Sequence, residues 1–273
     1  MPGRIPCSIN MLTRNSAATL EAALKSVSDF AEILIADGRS ADATLAIAAK
    51  YGCRVVAQDP RYTDETGRLF DYAGARSQLI PISSCDWILY LDSDEVLTPD
   101  AAAKIADVLA ARPPPEIGAY VLRAKPVVNG VIIEDGSKVG FGEPRLFRRS
   151  AVGQCVGFVD EHFELLPGYD TAELNALFLK PLPPVRQLIR KWVRYLRVFA
   201  AEATEKGPEW TEQHLPGRKS EIRWLIRGWL EARRRGHPSR MPSRYEAAQV
   251  LSAGGIYATL RLVHVSQRLR RKR

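Results

Sequence analysis

Apolar runs and turn signals alternate through the first hundred residues. Ile5 to Leu12 is an apolar segment of strand length, and Thr13-Arg14-Asn15 is a turn in which Asn15 or Ser16 can cap a helix reaching Val27. Ala17, Leu20, Ala23, Leu24 and Val27 give that helix its apolar stripe. Glu32 to Ala36 predicts a second strand, ending at Asp37. Ser40-Ala41-Asp42 opens a helix to Tyr51, where Gly52 fits the stop. Cys53 to Ala57 reads as a third strand, Asp71 to Ile82 as a helix and Asp86 to Leu91 as a fourth strand. This β-α-β-α-β-α-β order predicts an α/β fold, a mostly parallel sheet flanked by helices on both faces.

The grain changes at Arg112-Pro113-Pro114-Pro115, which breaks a helix begun at Thr98-Pro99-Asp100. Ala119 to Val128 and Val131 to Ile133 predict a hairpin about Asn129-Gly130, and Arg145 to Arg149 and Val156 to Val159 predict short strands. From Pro184 the chain reads as helical: Arg186 to Glu205, Ser220 to Arg235, and Tyr245 to about Arg270.

Charge divides the chain in the same place. Residues 1–185 hold 18 Lys and Arg against 24 Asp and Glu, whereas residues 186–273 hold 21 against 7. A basic terminal region of this kind calls for a polyanionic partner or an anionic surface. The four cysteines are scattered without a C-x-x-C, which fits reduced structural thiols. The first residues lack the apolar region of a secretory leader, and no uncharged apolar run is long enough to span a bilayer, so a cytoplasmic protein is expected.

The most informative chemistry follows the strand at Asp86 to Leu91. Asp92-Ser93-Asp94-Glu95 comes at once, and side chains two apart on an extended chain point the same way. Asp92 and Asp94 then project together from the carboxyl end of a strand, where open α/β sheets place their ligands. Paired carboxylates repel unless a cation lies between them. The plainer alternative is a surface turn leading to the helix at Thr98-Pro99-Asp100. The first βα turn, T-R-N, lacks G-x-G-x-x-G, and neither G-x-x-x-x-G-K-[ST] nor H-E-x-x-H occurs, which disfavours dinucleotide, P-loop and zincin chemistry.

Over residues 5–200 the chain resembles family 2 glycosyltransferases of the GT-A fold, in particular the lipopolysaccharide-core glucosyltransferase-like branch. The resemblance rests on S-I-N-M-L-T-R-N, L-I-A-D-G-R-S-A-D-A-T, A-G-A-R-S-Q, D-W-I-L-Y-L-D-S-D-E, and P-R-L-F-R-R followed by G-F-V-D-E, in that order. It implies a nucleotide-sugar-binding half in 1–112, an acceptor-side half in 113–183 and a basic amphipathic helical extension in 184–273. Thr13 and Asn15 would lie beside the nucleotide, Asp37 would bond the base, and Arg76 would pair with base or diphosphate. Asp92 would meet ribose or metal-bound water, and Asp94 would bind Mg2+ or Mn2+ across the two phosphates.

The reaction implied is inverting transfer from a nucleotide-diphosphate sugar, UDP-sugar by default, to a hydroxyl of a glycan or lipid-linked acceptor. Glu161 aligns with the family's acid in V-H-E and is the expected base, with Asp160, in place of the histidine, held in reserve. The chain departs from the family pattern at Arg39 for a glycine, Ser77 for an asparagine and Lys180 for a histidine.

In the tail, Leu188, Ile189, Trp192, Val193, Leu196 and Phe199 recur at helical spacing, and the next helix interleaves Trp and Leu with Arg223, Arg227 and Arg233-Arg234-Arg235. That suits packing on the body or an interfacial helix on anionic lipid, peripheral to the cytoplasmic face of a membrane. Two other functions compete. A nucleic-acid-binding protein would use the basic tail, but no such motif occurs and no nucleic-acid partner is expected. A sugar nucleotidyltransferase would also use paired carboxylates, but T-R-N lacks its glycine loop.

Overall fold

The computed structural model describes residues 4–65, 67–136, 142–156 and 161–271. The chain divides into two compact units, one of Met1–Lys125 and Gly140–Pro181, the other of Pro126–Val139 and Leu182–Arg273.

The first unit alternates strands and helices as the apolar pattern requires: β1 (Ile5–Thr13), α1 (Leu20–Ser26), β2 (Phe30–Asp37), α2 (Thr44–Lys50), β3 (Arg54–Ala57), α3 (Tyr72–Ser77), β4 (Trp87–Tyr90), β5 (Val96–Leu97) and α4 (Pro99–Ala110). Further strands follow along the chain: β6 (Ile117–Val128), whose last three residues fall in the second unit, β7 (Val131–Ile132), which lies in the second unit, and then β8 (Gly142–Arg148), β9 (Val152–Val156), β10 (His162–Leu165) and β11 (Asp170–Pro181) of the first. The main sheet runs β3-β2-β1-β4-β8-β6-β11-β5, with β7 on β6; β9 and β10 form a separate antiparallel pair. β3, β2, β1 and β4 are parallel, and β8 joins β4 antiparallel. The chain winds outward from β1 to β3, then crosses to place β4 on the other side of β1. The strand order therefore reverses between β1 and β4, the point where open sheets bind ligands.

Both faces of the parallel half are covered, which is why its strands read as unbroken apolar runs. Cys7, Ile9 and Met11 of β1, Ile33 and Ile35 of β2, and Leu89 of β4 share one core with Leu20 and Leu24 of α1. Leu34 and Ala36 pack on the other face with Leu79. Burying each such Leu or Ile side chain contributes about 1.5–3 kcal/mol. Two buried polar residues of β1, Ser8 and Asn10, are satisfied: Ser8 donates to Glu32 at 2.6 Å and Asn10 to Ser83 at 3.1 Å.

Several elements differ from the sequence expectation. α1 begins at Leu20, because Asn15 takes a left-handed φ of 51° and its side chain bonds another loop instead of capping a helix. α3 ends at Ser77 rather than at Ile82. β5 and β11 were not foreseen. β5 is two residues long, but β11 alternates, with Ala172, Leu174, Ala176 and Phe178 facing the core. Of the strand expected at Val156 to Val159 only Val156 is described, as the last residue of β9; residues 157–160 lie outside the described residues.

The second unit holds α5 (Val185–Lys206), α6 (Pro208–Arg235) and α7 (Ser243–Arg271). α7 packs on both α5 and α6. α6 starts well before Ser220 and runs through Pro216, because its buried stripe of Thr211, Leu215, Leu225 and Ala232 continues across the missing N–H. Val128, Ile133, Met241 and Tyr245 form a smaller core of this unit, with Leu182, Val185 and Leu188 against it. No described helix is long and apolar enough to cross a membrane.

Candidate active site at the carboxyl edge of the sheet

Strand register brings the first two site residues together. In the parallel pair of β1 and β2, Thr13 stands opposite Asp37 at the last position of each strand. Thr13 donates its hydroxyl to Asp37 at 2.8 Å, and Asp37 also accepts from the Ser40 amide at 2.8 Å and hydroxyl at 2.6 Å. Asp37 is buried, and these three bonds fix the turn after β2. A Cβ at Gly38 in that turn would lie 2.7 Å from the Gln58 amide oxygen, so a side chain there would displace Gln58. Gln58 in turn donates to the carbonyls of Thr13 and Ala36, tying the strand ends. Arg39 is exposed with φ 60°, a left-handed geometry that glycine adopts at no steric cost and arginine does not.

Asn15 is exposed; its side-chain oxygen accepts from the Ala41 amide at 2.8 Å, and its own amide donates to the Ser40 hydroxyl at 2.8 Å. Ser16 lies 3.0 Å from Ser93, hydroxyl to hydroxyl. The loops after β1, β2 and β4 are thus bonded into one rim.

Asp92-Ser93-Asp94-Glu95 is a turn, closed by the Glu95 amide donating to the Asp92 carbonyl at 3.0 Å. This corrects the extended geometry expected from the sequence: β4 ends at Tyr90, and the two carboxylates are not on one side of a strand. Asp92 is half-buried and Asp94 exposed. The Asp92 carboxylate accepts from the Tyr90 hydroxyl and lies 3.4 Å from the Arg76 guanidinium.

Arg76, at the end of α3, is buried with its guanidinium 3.5 Å from the Tyr90 ring centroid. Its Nε donates to Glu161 at 2.9 Å, and its terminal nitrogen bonds the same oxygen. Arg76 therefore joins Asp92 to Glu161. Asp160 lies outside the described residues. Burial pushes the nearby Cys155 thiol up to about 12, so it is a packed group and no thiolate nucleophile.

Glu95 was not among the residues singled out from the sequence, yet it anchors the turn. It is fully buried. Its carboxylate accepts the Asp92 amide at 3.0 Å, Arg145 of β8 at 3.1 Å and Lys180 of β11 at 3.0 Å. The antiparallel pairing of Leu179 with Val96 sets Lys180 beside Glu95. Burial pulls the Lys180 ammonium down, but the charges of Glu95, Asp92 and Glu143 together outweigh it and lift the group above the usual lysine range. The only sequence signal for this trio was an acid directly after D-x-D; its partners are far away in the chain.

Among the described residues no cluster of three or more metal-ligating side chains occurs. Asp92 and Asp94 offer hard carboxylate oxygens, and Asp94 is open to solvent. That donor set fits Mg2+ or Mn2+, which commonly take one or two carboxylates and fill their shells with water and phosphate oxygens.

Residues 8–141 match the family model of Glycosyl transferase family 2. An uncharacterized glycosyltransferase of Rickettsia bellii is 31% identical over 114 residues, which are 41% of this chain and 36% of that protein. A TPR repeat-containing protein of Synechococcus elongatus is 35% identical over 103 residues, covering 37% of this chain and 24% of its own length. The chain thus spans little more than a third, at most, of these two relatives. Among solved structures, mannosyl-3-phosphoglycerate synthase from Rubrobacter xylanophilus is similar at a TM-score of 0.47 and 16% identity, over 74% of this chain and 75% of that one. Glucosyl-3-phosphoglycerate synthase from Mycobacterium tuberculosis, in complex with Mn2+, UDP and glucosyl-3-phosphoglycerate, gives 0.41 and 16%, over 67% and 74%. The reversal of strand order between β1 and β4 and the D-x-D turn after β4 both lie within the residues that match the glycosyl transferase family 2 model.

Proposed function

We propose that the protein is an inverting, metal-dependent glycosyltransferase that moves a sugar from a nucleotide-diphosphate donor, UDP-sugar first, to a hydroxyl of a glycan or glycolipid acceptor. The observation that carries this reading is the double contact of Arg76. One guanidinium meets both the D-x-D turn at Asp92 and the carboxylate of Glu161, so a donor-side and an acceptor-side group share one patch.

In this reading Thr13 and Asn15 flank the nucleotide. Asp37, with three bonds already accepted, keeps one lone-pair direction for a base N–H. Arg76 exchanges one of its carboxylates for a phosphate oxygen, a swap its planar fork permits. Asp92 and Asp94 hold Mg2+ or Mn2+. A divalent ion bound there supplies Lewis-acid stabilisation of the departing diphosphate. Glu161, released from Arg76 by the incoming donor, takes the acceptor's proton, and Asp160 is the alternative base. Residues 1–112 then form the donor half, 113–183 the acceptor half and 184–273 the basic extension. Assembly of bacterial surface polysaccharide or lipopolysaccharide, at the cytoplasmic face of the membrane, is the setting that a lipid-linked acceptor and a basic helical unit support.

Product analysis tests this reading. Incubation with UDP-sugars and Mn2+ should release nucleoside diphosphate. Release of pyrophosphate from sugar phosphate and nucleoside triphosphate would instead make it a nucleotidyltransferase.

A further inference from the structure

The helical unit carries a surface that sugar transfer does not use. Lys219, Arg223, Arg227, Arg233 and Arg234 of α6 are all exposed. They fall at i, i+4, i+8, i+14 and i+15, which a 3.6-residue turn brings to one side of the helix. Ile226 and Leu230, at i+7 and i+11, sit among them, 39% and 49% exposed. Over the same stretch packing uses the opposite side of the helix, through Leu225 and Ala232. Among the described residues none of the five cations has a carboxylate partner. Glu221 turns to Arg218 at 3.0 Å, and Glu231 stands at the stripe's edge beside Arg235, which is itself bonded to Asp135.

Like charges spaced four apart repel, and exposed aliphatic groups gain nothing from water. A partner that neutralises the first and covers the second removes both costs. Cations alone would suit any polyanion. The aliphatic pair within the stripe discriminates, because a phosphodiester backbone offers it no apolar contact, whereas the boundary between lipid headgroups and acyl chains does. Long Arg and Lys stems can lie along that boundary with their charged ends at the phosphates. We propose that the α6 face from Lys219 to Arg234 docks on an anionic lipid surface, with Ile226 and Leu230 entering the boundary and the five cations meeting headgroups. This docking stands independently of the transfer reaction.

Flotation of the full chain with phosphatidylcholine vesicles, with and without phosphatidylglycerol, tests it. Binding should require phosphatidylglycerol and weaken with salt. Arg223→Gln with Arg227→Gln should lower partitioning roughly 30-fold, at about fivefold per cation near the surface. Ile226→Ser with Leu230→Ser should lower it at least about tenfold. All four positions are exposed, so thermal melting should match the parent and separate lost docking from lost folding. Three results would overturn the proposal: equal binding to neutral vesicles; a serine pair that binds like the parent while a single-stranded oligonucleotide strips the protein from vesicles; or a concentration-dependent dimer, seen by light scattering, that the serine pair abolishes.

Discussion

Glu95 and Arg223 represent two ways of placing charge in this molecule. In the sheet unit Glu95 is fully buried, and every partner is held: Arg145, Lys180 and the Asp92 amide. Around it Arg76, Asp92 and Glu161 are likewise joined. In the helical unit Arg223 and the other four cations of the α6 stripe face outward and have no carboxylate partner among the described residues. Buried charge must be paired because desolvation is costly, and the pairing fixes geometry to tenths of an ångström. Exposed charge is held loosely and acts through its field. The sheet unit is thus built to set atoms in place, and the helical unit to present a surface.

Four changes sharpen this contrast, from the largest effect to the smallest. Glu161→Gln should cut turnover by roughly 10²–10⁴-fold with the fold intact, as expected for loss of a general base, while Asp160→Asn stays near the parent. The reverse pattern in steady-state rates would move the base by one residue. Arg145→Met should cost about 3 kcal/mol in denaturant unfolding, because Glu95 stays buried with Lys180 as the one cation left to it among the described residues. A loss near zero would mean that the trio does not hold the turn.

The third change concerns pH. Arg235 holds the Asp135 carboxyl below its ordinary value of 3.8. Its stabilisation is therefore present above that value and is lost as pH falls through the depressed folded value. Asp135→Asn should make the protein less stable at neutral pH, and the gap to the parent should close below about pH 4, as acid titration followed by circular dichroism would show. Smallest is Arg39→Gly. Relief of the left-handed φ should raise stability by up to about 1 kcal/mol, partly offset by glycine's chain entropy, a shift in Tm of a few degrees.

The sheet's parallel half was legible because apolar runs of strand length, punctuated by Gly52 and the Asp-containing turns, leave few alternatives. The convergence of Thr13, Asp37 and Asp92 on one edge followed from the same order of elements. What was not legible depends on distant partners. Glu95 looked like part of a surface turn, since Arg145 and Lys180 are 50 and 85 positions away in the chain. The period-two arithmetic for Asp92 and Asp94 failed because a hydrogen bond from Glu95 turns the chain there. Asn15 resembled a helix cap, but the neighbouring loop claims its side chain. On α6, Pro216 hid the helix's true start, though the basic and aliphatic spacing beyond it was already visible.

We propose that the turn after β4 binds a nucleotide diphosphate through a divalent cation. Calorimetric titration of UDP into the protein, with Mn2+ and then with EDTA, tests it most directly. Binding should appear with Mn2+, vanish with EDTA and be lost in Asp94→Ala at unchanged melting temperature. UDP binding of equal strength in EDTA, or undiminished in Asp94→Ala, would contradict it.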